Sequence, residues 1–223
     1  MKIKKFDQSC LLLESKGKRI LIDPGNINYT EERLTKDWTN IDAILVTHKH
    51  IDHCYAPAIK AICNTNSCHV YTSKEVQEEY EFPEAIVVKA EDEFSVGDEI
   101  KIEVTKAVHG FLTSMKYNGG EIKENIGFII DDGENRLYTT SDTINFNHNY
   151  QCDIVCMPFN GHGLTVGIPD GVDFAKDLNP SLVIPVHTQH KMYNPDLAQL
   201  IAELEEENLE YEIVEVGEEI EVE

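Results

Sequence analysis

Apolar residues along this chain fall into short runs separated by turn-forming residues, and few of them recur at helical spacing. Runs at residues 3–6, 10–14 and 20–23 predict an antiparallel meander that turns at Gly17. Residues 41–47, Ile-Asp-Ala-Ile-Leu-Val-Thr, predict a buried strand. A helix at 56–62 follows, with Pro57 tolerated in its first turn. Next come a strand at 69–71, a helix capped by Ser73 with Val76 and Tyr80 on one face, and a strand at 85–88. The second half repeats this logic. Strands are expected at 99–108 and 126–131, with a hairpin turn at Asp132-Gly133-Glu134-Asn135 leading into 136–140. A strand at 154–158 precedes the Gly-rich Asn160-Gly161-His162-Gly163. A helix at 170–178, a strand ending at His187, a helix at 195–209 and a strand at 211–216 complete the chain. Two β-rich halves with outer helices predict an α+β fold, an αββα sandwich of paired β-sheets flanked by helices. With no linker and no repeat on the order of 20–50 residues, residues 1–223 are expected to form a single domain.

The chemistry lies where these runs end. His48-Lys49-His50-Ile51-Asp52-His53 follows the 41–47 strand directly. In an extended or tightly turning segment His48 and His50 project to one side, while Asp52 and His53 lie around the next bend. That arrangement suits two cations held close together; a His-rich surface turn is the alternative. Three more positions each follow a strand-like run: His109 after 100–108, Asp142 after 135–141, and His187 after 181–186. Each alone reads equally as a capping or hydrogen-bonding residue. Together the seven offer nitrogen and oxygen donors for two cations with positions open to water or substrate.

In order and spacing class, H-x-H-x-D-H followed by His, Asp and His resembles the metallo-β-lactamase superfamily. Residues 20–25, Ile-Leu-Ile-Asp-Pro-Gly, are similar to its early strand and Asp-Pro-Gly turn. The short chain and Pro185-Val186-His187 resemble the small hydrolases related to ascorbate-6-phosphate lactonase. Two segments depart from the pattern: Ser141-Asp142-Thr143 stands where Gly-Asp-Thr is common, and Asp7-Gln8-Ser9 where Gly-His and a small residue are common. The resemblance implies two mixed β-sheets flanked by helices in a metallo-β-lactamase sandwich. It implies that His48, His50 and His109 hold a first cation, that Asp52, His53 and His187 hold a second, and that Asp142 bridges them. Zinc is the first choice, with manganese or iron as alternatives. Two such metals about 3.5–4 Å apart would share a bridging hydroxide that attacks a carbonyl or phosphoryl centre. Asp52 would orient it and take a proton. Asp23 is expected either to accept a ligand imidazole N–H or simply to form a turn. His162 is a candidate for substrate contact or transition-state stabilisation, against a local hydrogen bond. His190 is a weaker candidate of the same kind, and His69 and His148 read as structural or exposed.

Composition narrows the substrate. With 19 basic and 41 acidic residues the formal charge is −22. Such a surface repels phosphate backbones and makes a nucleic-acid partner unfavourable. The Glu-rich run at 203–208 reads as a solvated helix face. No apolar run approaches membrane-spanning length and no signal-peptide pattern is present, so no membrane association is expected. Six Cys with no C-x-x-C and no paired spacing suggest a reduced, cytoplasmic chain. Cys54, next to His53, reads as a buried thiol or an additional donor. The expected function is dinuclear metal-dependent hydrolysis of a small polar molecule, a lactone or a phosphate-bearing ester. A phosphodiesterase or nuclease on the same scaffold is the alternative, and homo-oligomerisation stays open. A flavodiiron-like redox role fits less well, because that branch has Glu where this chain has His50 and carries a flavin domain. A degenerate binding protein would be expected to have lost at least one of the seven donors. The loops at 26–38, 110–124 and 145–151 are expected to wall the pocket, with polar residues that suit a hydrophilic ligand.

Overall fold

In the computed structural model, which describes residues 1–82, 84–145, 150–189 and 192–222, the apolar runs become two sheets. β1 (Lys2–Lys5), β2 (Leu11–Ser15) and β3 (Lys18–Ile22) form the expected antiparallel meander. Gly17 turns the last pair at φ +70°, a conformation open to residues without a Cβ. After α1 (Glu31–Lys36), β4 (Ala43–Val46) lies parallel to β3. α2 (Ala56–Thr65) leads to β5 (His69–Thr72), and α3 (Lys74–Tyr80) to β6 (Ile86–Val87), both strands also parallel. The Ser73 hydroxyl caps α3 by accepting the Val76 N–H.

β7 (Glu93–Val96), β8 (Ile100–Ala107), β9 (Asn125–Asp131) and β10 (Arg136–Thr139) are successively antiparallel, with α4 (Met115–Asn118) between β8 and β9. β11 (Ile154–Pro158), α5 (Ile168–Leu178) and β12 (Leu182–Val186) extend this sheet in parallel. α6 (Leu197–Glu206) and β13 (Glu219–Glu221) end the chain. One sheet runs β13-β1-β2-β3-β4-β5-β6, the other β12-β11-β10-β9-β8-β7, and both are mixed.

The alternation of strand side chains sorts three apolar layers. In β3 and β4, Ile20, Ile22 and Leu45 point to the inter-sheet core, where they meet Ile102, Val104, Phe128 and Ile184 of the second sheet. Leu21, Ile44 and Val46 point the other way, onto Ala58, Ile59 and Ile62 of α2. On the far side, Tyr138, Val155 and Val183 pack against Val172 and Phe174 of α5 and Leu200 and Leu204 of α6. Burial on both faces is why β4 and β11 are apolar throughout rather than alternating.

Several boundaries differ from expectation. Residues 211–216 form only a single bridge, Tyr211 to Val183, and the closing strand is instead β13, paired with β1. Val214 is committed to the inter-sheet core, and the chain turns at Gly217 (φ +87°) before it can pair. α6 is shorter than 195–209, because Asp196 caps it by accepting the Ala198 and Gln199 N–H groups. α5 starts earlier, at Ile168, with Pro169 in its first turn. β7, α1 and α4 were not anticipated. Among the described residues no helix is long and apolar enough to cross a membrane.

Candidate metal centre

The four segments that follow β4, β8, β10 and β12 meet at one edge of the sandwich. They bring all seven predicted donors together in three overlapping groups. These are His48, His50 and His109; His48, His53 and Asp142; and Asp52, His53 and His187, with donor atoms within 4.8 Å of one another in each group. The first and third coincide with the two sets that the resemblance implied. Asp142 lies between them: its Oδ2 is 3.4 Å from His53 Nε2, 3.4 Å from His187 Nε2 and 3.8 Å from His109 Nε2.

Hydrogen bonds at the far ring nitrogens determine which nitrogen faces the centre. His53 Nδ1–H donates to Asp23 Oδ2 at 2.8 Å. His109 Nδ1–H donates to the Gly110 carbonyl at 2.7 Å, and His50 Nε2–H to that of Gly120 at 2.8 Å. His48 Nδ1 lies 3.0 Å from Thr47 Oγ1 and 3.4 Å from Ser141 Oγ. Both hydroxyl protons are already committed, Thr47's to Asp23 and Ser141's to Asn125, so His48 Nδ1 must be the donor. His48, His53 and His109 therefore present Nε2, and His50 presents Nδ1. Two of these acceptor nitrogens, His48 Nε2 and His50 Nδ1, face each other at 3.2 Å. Lone pairs opposed at that distance repel unless a proton or a cation lies between them.

Other atoms make the same point. His53 Nε2 and Asp142 Oδ1 are buried without a hydrogen-bond partner, a costly state that a cation would relieve. Imidazole nitrogens and carboxylate oxygens with no thiolate suit zinc, manganese or iron(II). Cys54 is buried in the layer under α2, so it adds no sulfur. The donor set fits the group the fold implies.

Within the site, imidazoles and carboxylates offset one another's charge. Burial disfavours a charged His53, but Asp142 and Asp23 outweigh it and hold the imidazole well above its ordinary pKa. Asp142 and Asp52 do the same for His187. Burial also opposes ionisation of Asp142 and Asp52, yet the neighbouring imidazoles His187 and His53 keep both carboxyls below the usual range. His48, His50 and His109 are pushed down, chiefly by burial.

Supporting contacts reach further than the motifs suggested. Asp23, fully buried, accepts the Thr47 N–H and hydroxyl as well as His53. Of its two expected roles, it takes the one that orients an imidazole. Glu75 on α3 pairs with Lys49 at 3.0 Å and accepts the N–H groups of Lys123 and Glu124. It thereby clamps the loop whose Gly120 carbonyl holds His50. Asn125 Nδ2 donates to the Asp142 carbonyl at 2.7 Å. Asn160 Nδ2 donates to the His187 carbonyl at 2.9 Å and also to that of Tyr193. None of Glu75, Asn125 or Asn160 carries a signal in one sequence, since each acts on groups that only folding brings near. Gly25 approaches so closely that an added Cβ would lie 1.8 Å from the Asp52 carbonyl oxygen.

Gln8, Asp23, Ser141, His162 and His187 all adopt left-handed φ, between +47° and +62°. Such strain gathers where surrounding structure over-determines a functional geometry. An open cavity of about 150 Å³ is lined by five of the seven donors together with Asn160, Leu164, Thr165 and Tyr193. His162 is exposed and is not among those lining residues; its ring lies 5.4 Å from that of Tyr193. His69 is exposed. His148 and His190 lie outside the described residues.

This sandwich, with its edge of clustered imidazoles and carboxylates, defines a metal-dependent hydrolase. The model of the beta-lactamase superfamily domain matches residues 2–187, and the chain belongs to that superfamily. A UPF0173 metal-dependent hydrolase of Pyrobaculum islandicum is 30% identical over 199 residues, 84% of each chain. Among solved structures, the metallo hydrolase Igni18 of Ignicoccus hospitalis superimposes with a TM-score of 0.81 at 21% identity, over 100% of this chain and 99% of that one. An isothiocyanate hydrolase from Delia radicum gut bacteria gives 0.79 at 20% identity, over 100% and 99%. At these identities the two structures speak to the fold alone.

Proposed function

We propose that the protein is a dinuclear hydrolase, with zinc as the first-choice metal, acting on a small polar molecule that bears a lactone or ester. The observation that carries this reading is the three interlocking donor groups, with Asp142 placed between the two outer sets. Divalent cations bound there would acidify a water molecule and polarise the scissile carbonyl or phosphoryl oxygen.

The chain's own part follows from the contacts. Asp52 Oδ2 sits 3.3 Å from His187 Nε2, kept ionised by His187 and His53, and its side chain remains 22% exposed. Its partial exposure leaves it open to water, and we assign it the task of orienting the attacking molecule and relaying its proton to solvent. Asn160 holds the His187 backbone, and Tyr193 on the cavity wall is the polar contact for a substrate head group. A space of about 150 Å³ accommodates the reacting group alone, so the rest of the substrate lies across the rim. His162, beside Tyr193, is placed to touch that outer part.

No Lys or Arg lines the cavity among the described residues. This favours an uncharged lactone or ester over a phosphate-bearing one, and with the charge of −22 it disfavours the phosphodiesterase or nuclease reading. The test is metal content and turnover of a panel containing a lactone, a carboxylic ester, bis(p-nitrophenyl) phosphate and an isothiocyanate. Wild type is compared with His48→Ala. Lactone or ester turnover lost in the variant is expected. Equal rates in both proteins would overturn metal-centred hydrolysis, and turnover of the phosphodiester alone would replace this reading with the nuclease one.

A further inference from the structure

Away from the metal centre, we propose that Cys63 and Cys68 form a dithiol–disulfide couple, a modification site oxidised by peroxide. Their spacing gave no hint of pairing. Folding places Cys63 on α2 and Cys68 just before β5, with the two sulfurs 3.4 Å apart and hydrogen-bonded. A disulfide needs about 2.05 Å, so closure requires little movement.

The turn between them is already fixed. Asn66, buried, accepts the Ile41 N–H at 3.0 Å and donates to the carbonyls of Trp38 and Ile62 at 3.1 and 2.9 Å. The Cys68 N–H closes back on the Asn66 carbonyl at 2.8 Å. Ordering the two thiols is therefore done by the fold before any oxidant arrives.

Access and reactivity agree. Both thiols are half-buried, and they border a cavity of about 200 Å³ walled by Ile59, Lys60, Val70 and Phe82. The other four cysteines are buried, and burial pushes their thiols up, away from the reactive thiolate. The hydrogen bond from Cys68 favours the thiolate of Cys63.

The chemistry balances with hydrogen peroxide as the oxidant. The Cys63 thiolate attacks one peroxide oxygen and breaks the O–O bond, giving a sulfenic acid; the departing hydroxide takes a proton and leaves as water. Cys68 then attacks the sulfenic sulfur, its proton passing to the hydroxyl that leaves as a second water. Two thiols and one peroxide become one disulfide and two waters.

The test uses the full-length protein as purified. After stoichiometric peroxide, free thiols are blocked with iodoacetamide in denaturant and the chain is cut with trypsin. Cleavage after Lys60 and Lys74 places both cysteines on one peptide, 61–74. The expected result is loss of two of the six thiols, with peptide 61–74 unlabelled, two hydrogens lighter than its dithiol form and restored by dithiothreitol. In Cys68→Ser the sulfenic acid should persist on Cys63 and be trapped by dimedone. A doubly labelled 61–74 peptide after peroxide, or first loss at a buried cysteine, would overturn the proposal.

Discussion

Replacing Asp23 by Asn tests how a buried carboxylate orients an imidazole of the candidate metal centre. The change is nearly isosteric and leaves the left-handed φ of +47° accessible, since Asn tolerates that region. Asp23 accepts three hydrogen bonds, each at 2.8 Å: the Thr47 N–H, the Thr47 hydroxyl and His53 Nδ1–H. An amide has one acceptor oxygen. If that oxygen keeps the Thr47 N–H, the new NH₂ faces His53 Nδ1, and two donors meet. His53 escapes by moving its proton to Nε2, the atom that must face the metal. Restoring the competent tautomer leaves a buried donor unsatisfied, at a cost of about 1–3 kcal/mol. Since about 1.4 kcal/mol is tenfold in affinity, the second equivalent of zinc should bind roughly 5- to 150-fold more weakly, in line with the typical 10–100-fold effect of removing such partners. Competition titration of metal-free protein against a chelator reads this directly. Thermal melting of the metal-free variant serves as the fold control: the tautomer shift spares the metal-free protein this penalty, so a cooperative transition close to that of wild type is expected. A D23N variant that folds and binds both equivalents within twofold of wild type would refute the tautomer argument.

Further outcomes follow from the same geometry. Because neighbouring carboxylates hold His53 well above, and His187 above, the ordinary imidazole pKa, protons compete with zinc for these two rings more strongly than they would at a free imidazole. Affinity should therefore rise with pH until those raised values are passed, with proton release visible by calorimetry in buffers of different ionisation enthalpy. Equal affinity at pH 6 and pH 8 would contradict this. Ser141 sits at φ +62°, and its hydroxyl bonds Asn125 at 2.7 Å. Ser141→Gly relieves about 1–2 kcal/mol of backbone strain but, like valine, deprives Asn125 of its donor at about 1–3 kcal/mol, so the two largely offset and urea stability should stay within about 2 kcal/mol of wild type. Ser141→Val keeps the strain and orphans Asn125, for a loss of about 1–3 kcal/mol; a valine variant as stable as wild type would sink that reading. Gly25→Ala forces a Cβ against the Asp52 carbonyl oxygen. It should cost about 1–3 kcal/mol and reduce turnover together with zinc held by the Asp52, His53 and His187 group. Unchanged turnover and stoichiometry would show that the contact yields freely.

Much of the sandwich could be read from apolar patterning, because strands buried on both faces leave uninterrupted runs and the Gly17 and 132–135 turns use residues with strong local preferences. Weakly patterned pieces escaped. β7 alternates Glu93, Phe94, Ser95 and Val96 over four residues, too few to distinguish from loop. β13 exists through pairing with β1, an interaction across nearly the whole chain. The candidate donors were visible because several sit within six residues and the rest follow strand-like runs, and metal coordination restricts residue type strictly.

The chain by itself determined the seven candidate donors, the alternating layers and the acidic surface, since each depends on residue identity and short-range periodicity. Which imidazole nitrogen faces the centre was decided only in three dimensions, by Asp23, the Gly110 and Gly120 carbonyls, and the Thr47 and Ser141 hydroxyls. So were the clamp by Glu75 and the meeting of Cys63 with Cys68. The reason is one of range: hydrogen bonds and sulfur contacts act over a few ångströms between groups of ordinary composition, and only the packed fold says which of them come that close.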